Sequence, residues 1–256
     1  PMTELLTTPA FWGSLATLTF LEIILGLDNL LFVSVAVGNL KGKQQTRARR
    51  IGVWGAMVLR ILMLGGIFWI IQLEAEPIFR LPDGLAAIFG ADSEHARAAF
   101  SEVTIKDLIL LAGGLFLLWK GTQEIHSAVE GTGHEVSTAK TSFRGVVMQL
   151  FVINAVFSLD SIITAVGMTN ILSVMVAAII LSTFVMALAA EPLGDFLEKH
   201  PTTKMLALAF ILLVGVALVA DGAGFHIPRG YLYFAIAFSL FVEILNIRAR
   251  ANARPA

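Results

Sequence analysis

The chain has 256 residues, 57% hydrophobic and only 14% charged, and its net charge is −1. Soluble domains carry about 25% charged residues, so there are too few polar side chains here to cover a soluble core, and the near-neutral balance gives no electrostatic attraction for nucleic acid. Cysteine is absent, which excludes disulfides, thiolate metal sites and thiol catalysis.

Seven apolar runs are each long enough to cross a bilayer, at about 11–37, 51–72, 106–120, 146–168, 171–190, 204–220 and 230–247. The expected fold is therefore all-α, a polytopic membrane protein of seven transmembrane helices. The first run, Phe11–Val37, makes a helix of about 40 Å, longer than the roughly 30 Å hydrocarbon core. Glu22, Asp28 and Asn29 lie near its middle. The run is too long, and too poor in preceding basic residues, for a cleaved leader, and is expected to stay as a span. Lys41, Lys43, Arg47, Arg49 and Arg50 follow it as a dense basic loop. The next loop, 73–105, carries Glu74, Glu76, Asp83, Asp92, Glu94 and Glu102 against Arg80 and Arg97. The positive-inside rule puts the basic loop in the cytoplasm and the acidic loop outside. Alternation then sets the N-terminus outside and the C-terminus, with Arg248, Arg250 and Arg254, inside. The polar stretch 121–145 reads as a cytoplasmic connector. It contains Glu124, His126, Glu130, His134 and Glu135, without the tight spacing of a metal site.

Aligning Asp28 with Asp160 exposes an internal repeat. Glu22-Ile-Ile-Leu-Gly-Leu-Asp28-Asn29 matches Asn154-Ala-Val-Phe-Ser-Leu-Asp160-Ser161. Each copy opens a set of three spans, and an odd number makes the second set enter the membrane from the opposite side. That is the inverted repeat of many secondary transporters, whose substrate site lies near the midplane. A fainter echo joins the third and sixth runs, which begin at Lys106 and Lys204 and end at Gly121 and Gly222. The expected organisation is a first three-helix repeat over 1–120, the connector 121–145, a second repeat over 146–229, and a seventh helix and tail over 230–256.

Carboxylates at membrane depth are expensive and mark ion pathways. The expected metal ligands are Glu22, Asp28 and Asp160, with Asn29, Asn154 and Ser161 as neutral oxygens. On a regular helix Glu22 and Asp28 project about 120° apart, so a local irregularity at Gly26 is expected to bring them together. In the other half, Ser158 is expected to bond back to the carbonyl of Asn154 and bend the helix. Oxygen-only sites suit Mn²⁺, Ca²⁺ or Mg²⁺. Arg60, within the second run, needs a carboxylate partner, in a structural ion pair or as a counter-ion to the site. Glu191, Asp195 and Asp221 fall at run ends, and Glu243 near the inner end of the last run. No nucleotide-binding loop, GxSxG or HExxH motif is present, so no enzyme activity is expected.

Four segments in order, FLEIILGLDNLLF at 20–32, LLWKGTQEIH at 117–126, VFSLDSIITAVGMT at 156–169 and HIPRGYLYFAIAFSLFVEILN at 226–246, resemble the TerC family of bacterial membrane proteins. The resemblance implies a seven-span inner-membrane protein related to LysE-like cation exporters, a link to tellurium resistance, and Mn²⁺ export in which acidic residues of the first and fourth spans take part. By motif match those residues are Glu22, Asp28 and Asp160. The expected function is a secondary exporter of Mn²⁺, with Ca²⁺ or Mg²⁺ as alternatives, possible exchange for protons, and the lipid bilayer as its setting. The rival reading is a membrane scaffold or assembly factor that aids insertion or metallation of secreted proteins, as a homo-oligomer or in contact with the secretion machinery.

Overall fold

A computed structural model describes residues 9–66, 77–80, 101–130, 142–169 and 171–252. Seven long helices occur among them: α1 Pro9–Ala36, α2 Lys43–Gly65, α3 Ile105–Val129, α4 Phe143–Met168, α5 Leu172–Lys199, α6 Pro201–Gly222 and α7 Arg229–Asn252. All but α2 are long and apolar enough to cross a membrane. The basic first turns of α2, with Lys43, Arg47, Arg49 and Arg50, extend that helix upstream of the apolar run expected from Ile51. The end of that run, 67–72, lies outside the described residues, as does most of loop 73–105. Of that loop, Phe79–Arg80 pairs antiparallel with Glu102–Val103, and Arg80 donates to Glu102 at 2.7 Å.

Helix ends follow local chemistry. Thr104 and Asp107 form a capping box that starts α3, with Thr104 N–H donating to the carboxylate at 2.9 Å. Pro201 opens α6 directly after His200, because proline fits the first turn and disfavours helix in the residue before it. Gly42 (φ 57°) and Gly224 (φ 80°) supply the left-handed turns that enter α2 and leave α6. Helix α3 continues through Val129, so residues 121–129 of the expected connector are helical. Its polar end has helix-compatible residues and an i,i+4 contact between His126 and Glu130 at 3.1 Å. Residues 131–141, with His134 and Glu135, lie outside the described residues.

The helices form two compact units that cut across the sequence halves. One contains α1, α2, α4 and most of α5; the other contains α3, α6 and α7. In the first unit, glycines on α2 let α4 approach closely. A side chain at Gly52 would press on Leu150 and Val33, and one at Gly55 on Phe151. Trp54 of α2 stacks edge-on against Phe184 of α5 at 5.3 Å. At one end of this contact the Arg49 guanidinium lies over Gly194, where any side chain would displace it. Arg49 also pairs with Asp195 at 3.9 Å, and Arg50 with Glu191 at 3.3 Å.

In the second unit α3 and α6 run antiparallel and cross at Gly114 and Gly215. A Cβ on Gly114 would stand 2.7 Å from the Gly215 carbonyl oxygen, and one on Gly215 would stand 3.2 Å from that of Gly114. Lipid tails are as apolar as leucine, so helices in a bilayer adhere by close backbone approach, which small residues permit. The flanking contacts come in matched pairs. Gly114 meets Val219 as Gly215 meets Leu118, and Gly121 meets Leu212 as Gly222 meets Leu111. In the register that places Gly114 on Gly215 and Gly121 on Gly222, each contact exchanges with its counterpart. Large apolar side chains point outward along the helices, among them Phe20, Leu62, Leu115, Leu188 and Phe234, as lipid-facing surfaces require.

The crossing gives a direct test. Gly114→Ala should lower unfolding stability by about 1–3 kcal/mol, the usual cost of overpacking. Gly13→Ala, with no atom near the added methyl, should be neutral or stabilise by up to about 1 kcal/mol. Thermal unfolding of the purified protein in detergent reads both; equal stability of the two variants would contradict the close crossing.

Candidate functional site

Helix α1 is unbroken through Gly26, which has no left-handed φ. The expected irregularity is absent because this glycine serves packing: the Met186 sulfur of α5 occupies the space its Cβ would need. On the regular helix, Glu22, Gly26, Asn29 and Val33 form one stripe, spaced for successive turns. Asp28 lies about 120° around from Glu22. Both acids are buried, Glu22 at 1% and Asp28 at 3% exposure.

Helix α2 faces that stripe with Val53, Ala56, Met57 and Arg60, again at helical spacing. Arg60 is 1% exposed and donates from Nη1 to Glu22 Oε2 at 2.8 Å. The bond joins α1 to α2 inside the apolar bundle. Among the described residues it is the single contact of Arg60, whose Nε has no hydrogen-bond partner there.

Beside this pair lies a cavity of about 20 Å³, room for roughly one water-sized guest. Its surface is almost wholly apolar, and the polar residues Asn29, Arg60, Asn154 and Thr183 are among those that line it, with Met186. Asn29 is buried, and neither its amide oxygen nor its amide nitrogen has a partner. Asn154 donates from Nδ2 to the Gly52 carbonyl at 3.1 Å. The Thr183 hydroxyl donates to the Ile179 carbonyl at 2.7 Å, leaving its lone pairs available as acceptors.

The repeat residues of α4 sit differently from expectation. Ser158 is fully buried, but its hydroxyl has no partner and does not bond back along the helix. Instead the Ser161 hydroxyl donates to the Ser158 carbonyl at 3.1 Å, and α4 stays helical from Phe143 to Met168. The Asp160 side chain lies outside the described residues. Among the described residues, which do not include the Asp160 side chain, no three histidine or acidic side chains gather closely enough to hold a metal ion.

Of the expected ligands, the cavity thus brings together Asn29 and Asn154, with Glu22 tied to its edge through Arg60. Thr183 and Met186 escaped the sequence reading. Their signal was a pair of hydroxyl residues, Ser182 and Thr183, inside an otherwise apolar run, with a methionine on the same helical face. The acids at run ends have local partners: Glu191 and Asp195 pair with Arg50 and Arg49 as above, Asp221 accepts from the Ile227 N–H at 3.3 Å, and Glu243 accepts from the Thr202 hydroxyl.

Comparison with known proteins agrees with the membrane architecture. The model of the integral membrane protein TerC family matches residues 7–255. The UPF0053 inner membrane protein YgdQ of Escherichia coli K12 is 44% identical over 248 residues, covering 96% of this chain and 97% of YgdQ. A UPF0053 protein of Haemophilus influenzae is 45% identical over 251 residues, covering 97% and 98%. The E. coli UPF0053 inner membrane protein YoaE is 43% identical over 251 residues, but these make up only 45% of YoaE. No solved structure matches the chain.

The buried pair can be weighed without assuming any activity. Removing one partner leaves an uncompensated charge, so Glu22→Leu or Arg60→Leu alone should destabilise by about 3–5 kcal/mol, while the double change should recover most of that loss. A double-mutant cycle on thermal unfolding measures the coupling; additive effects of the two changes would show that the charges do not depend on each other.

Proposed function

The chain belongs to the TerC family of integral membrane proteins, and on that premise we propose that it is a secondary transporter exporting a divalent cation, foremost Mn²⁺, through the unit formed by α1, α2, α4 and α5. The observation that carries this reading is the set of buried polar residues Asn29, Asn154 and Thr183 lining a small cavity beside the buried Glu22–Arg60 pair. Polar and charged groups in a spanning bundle are costly and mark ion pathways. Here the Asn29 amide is buried without a partner, and Asp28 is the next residue on the same helix.

The donors fit a hard or borderline cation. Glu22, Asp28, Asp160, Asn29, Asn154 and Ser161 offer oxygen, which suits Mn²⁺, Ca²⁺ and Mg²⁺. The Met186 thioether on the cavity wall is a softer donor, which favours a transition metal over Ca²⁺ and Mg²⁺. The architecture proposed is the inverted repeat, with α1–α3 opposed to α4–α6. The exchange-related glycine contacts of α3 and α6 support it, since a two-fold axis through the Gly114–Gly215 crossing generates such a pattern. Lys41 and the basic first turns of α2 support an outside N-terminus and a cytoplasmic C-terminus. Movement of the cation then requires the site to face each side in turn, and proton exchange is the coupling that carboxylates buried at membrane depth suggest.

Two experiments check this reading. Asp28→Asn and Asp160→Asn each remove one charge and almost no volume, so cells making either variant at wild-type membrane levels should lose Mn²⁺ tolerance and retain more cellular Mn²⁺. Full protection by both variants would exclude the carboxylate site and favour the scaffold reading. For orientation, Gln45→Cys should be shielded from an impermeant thiol reagent applied outside intact cells, and Gly90→Cys should be labelled. The reverse pattern would invert the topology.

A further inference from the structure

Arg60 is the most costly residue to bury in the first unit, and its geometry is poorly suited to a brace. A guanidinium has five donors, and a structural arginine–carboxylate pair is normally bidentate with its remaining donors satisfied. Among the described residues Arg60 instead makes one contact, to Glu22 at 2.8 Å, and its buried Nε has no partner. An apolar pair of similar volume holds two helices at least as well as a buried ion pair. Something other than cohesion therefore accounts for a charge at this position.

The surroundings offer the guanidinium a second place to go. Arg60 lines the cavity of about 20 Å³ together with Asn29 and Thr183. The Asn29 amide oxygen is buried and receives no donor. Thr183 gives its hydroxyl hydrogen to the Ile179 carbonyl and keeps acceptor capacity. Both residues line the same cavity as Arg60, which gives the guanidinium neutral oxygens as an alternative to the Glu22 carboxylate.

We propose that Arg60 is the resident cation of the empty transport site: its guanidinium holds Glu22 until a divalent cation takes that carboxylate, then moves onto the Asn29 oxygen, and returns when the cation leaves. The inference rests on the transport reading and deepens it. Formal charge gives the physical reason. Arg60 neutralises Glu22 in the empty site, and a divalent cation that takes this carboxylate must displace that positive charge in a medium where a net charge is heavily penalised. Without Arg60 the buried Glu22 carboxylate stands uncompensated, and the ion would be held too tightly to leave. Competition by a tethered positive charge keeps affinity moderate, as conduction and transport require of a site that must also release.

Mn²⁺ binding to the purified full-length protein in detergent, read from loss of the free-ion electron paramagnetic resonance signal, tests this apart from transport. Arg60→Gln should bind Mn²⁺ at least tenfold more tightly than wild type. Arg60→Lys, which keeps the charge, should stay within about threefold. In sealed proteoliposomes Arg60→Gln should nevertheless carry Mn²⁺ at least tenfold more slowly. A folded Arg60→Gln that binds no more tightly than wild type would make Arg60 a structural brace and overturn the inference, leaving the transport reading intact. Absence of Mn²⁺ binding by wild type would overturn both. A second measurement needs no neutral variant and so survives misfolding of Arg60→Gln. Mn²⁺-induced infrared difference spectra of wild-type protein with guanidino-¹⁵N arginine should contain an isotope-sensitive guanidinium band that is missing in Arg60→Lys. Spectra of wild type without such a band would show that Arg60 keeps its partner when the metal binds, and would overturn the inference.

Discussion

Charge inside a lipid-spanning bundle must be compensated within a few ångströms, and the first unit is arranged around that requirement. Arg60 on α2 and Glu22 on α1 are both 1% exposed and meet at 2.8 Å. Each alone would be an uncompensated buried charge. They lie on the facing stripes of α1 and α2, and those stripes carry side chains that line the cavity. Asn29 comes from the α1 stripe, Asn154 enters from α4 by way of the Gly52 carbonyl, and Thr183 and Met186 come from α5. Glycine makes these approaches possible. Gly26 yields its side-chain space to Met186, and Gly52 yields its own to Leu150 and Val33.

The second unit solves a different problem with the same residue. It has no buried ion pair comparable to Glu22–Arg60 among its described residues, and α3 and α6 adhere through Gly114, Gly121, Gly215 and Gly222. In a bilayer such contacts replace the hydrophobic drive that holds soluble helices together. Helix α7 is mostly exposed within this unit, with Tyr231, Phe234, Phe238 and Phe241 outward. The two units therefore divide the chain by packing mode, one organised by buried polar groups and the other by backbone proximity.

Much of this was legible in the sequence because lipid imposes simple rules. Apolar runs of spanning length located all seven helices, and the buried Glu22, Asp28, Asn29 and Asn154 stood out as polar residues in apolar surroundings. Boundaries were less legible. Helix α3 runs past Gly121 to Val129 and α2 starts at Lys43, since polar residues continue a helix once it leaves the hydrocarbon core. Gly26 was misread as a point of irregularity, because sequence does not say whether a glycine bends its own helix or admits a neighbour's side chain. The back-bond expected at Ser158 belongs instead to Ser161, whose hydroxyl reaches the Ser158 carbonyl. Thr183 and Met186 look like ordinary residues of an apolar helix until tertiary packing sets them on the cavity wall. The grouping of α1, α2, α4 and α5 was likewise hidden, because contacts between distant helices leave no local pattern.

The central claim is that this cavity and its acids pass a divalent cation through the membrane. Flux of Mn²⁺ across sealed vesicles containing the purified wild-type protein, measured with and without a pH gradient, tests it most directly. The account predicts Mn²⁺ movement well above that of protein-free vesicles, accelerated by an opposing proton gradient and abolished by Asp28→Asn. Flux no greater than that of protein-free vesicles, under every gradient, would contradict it.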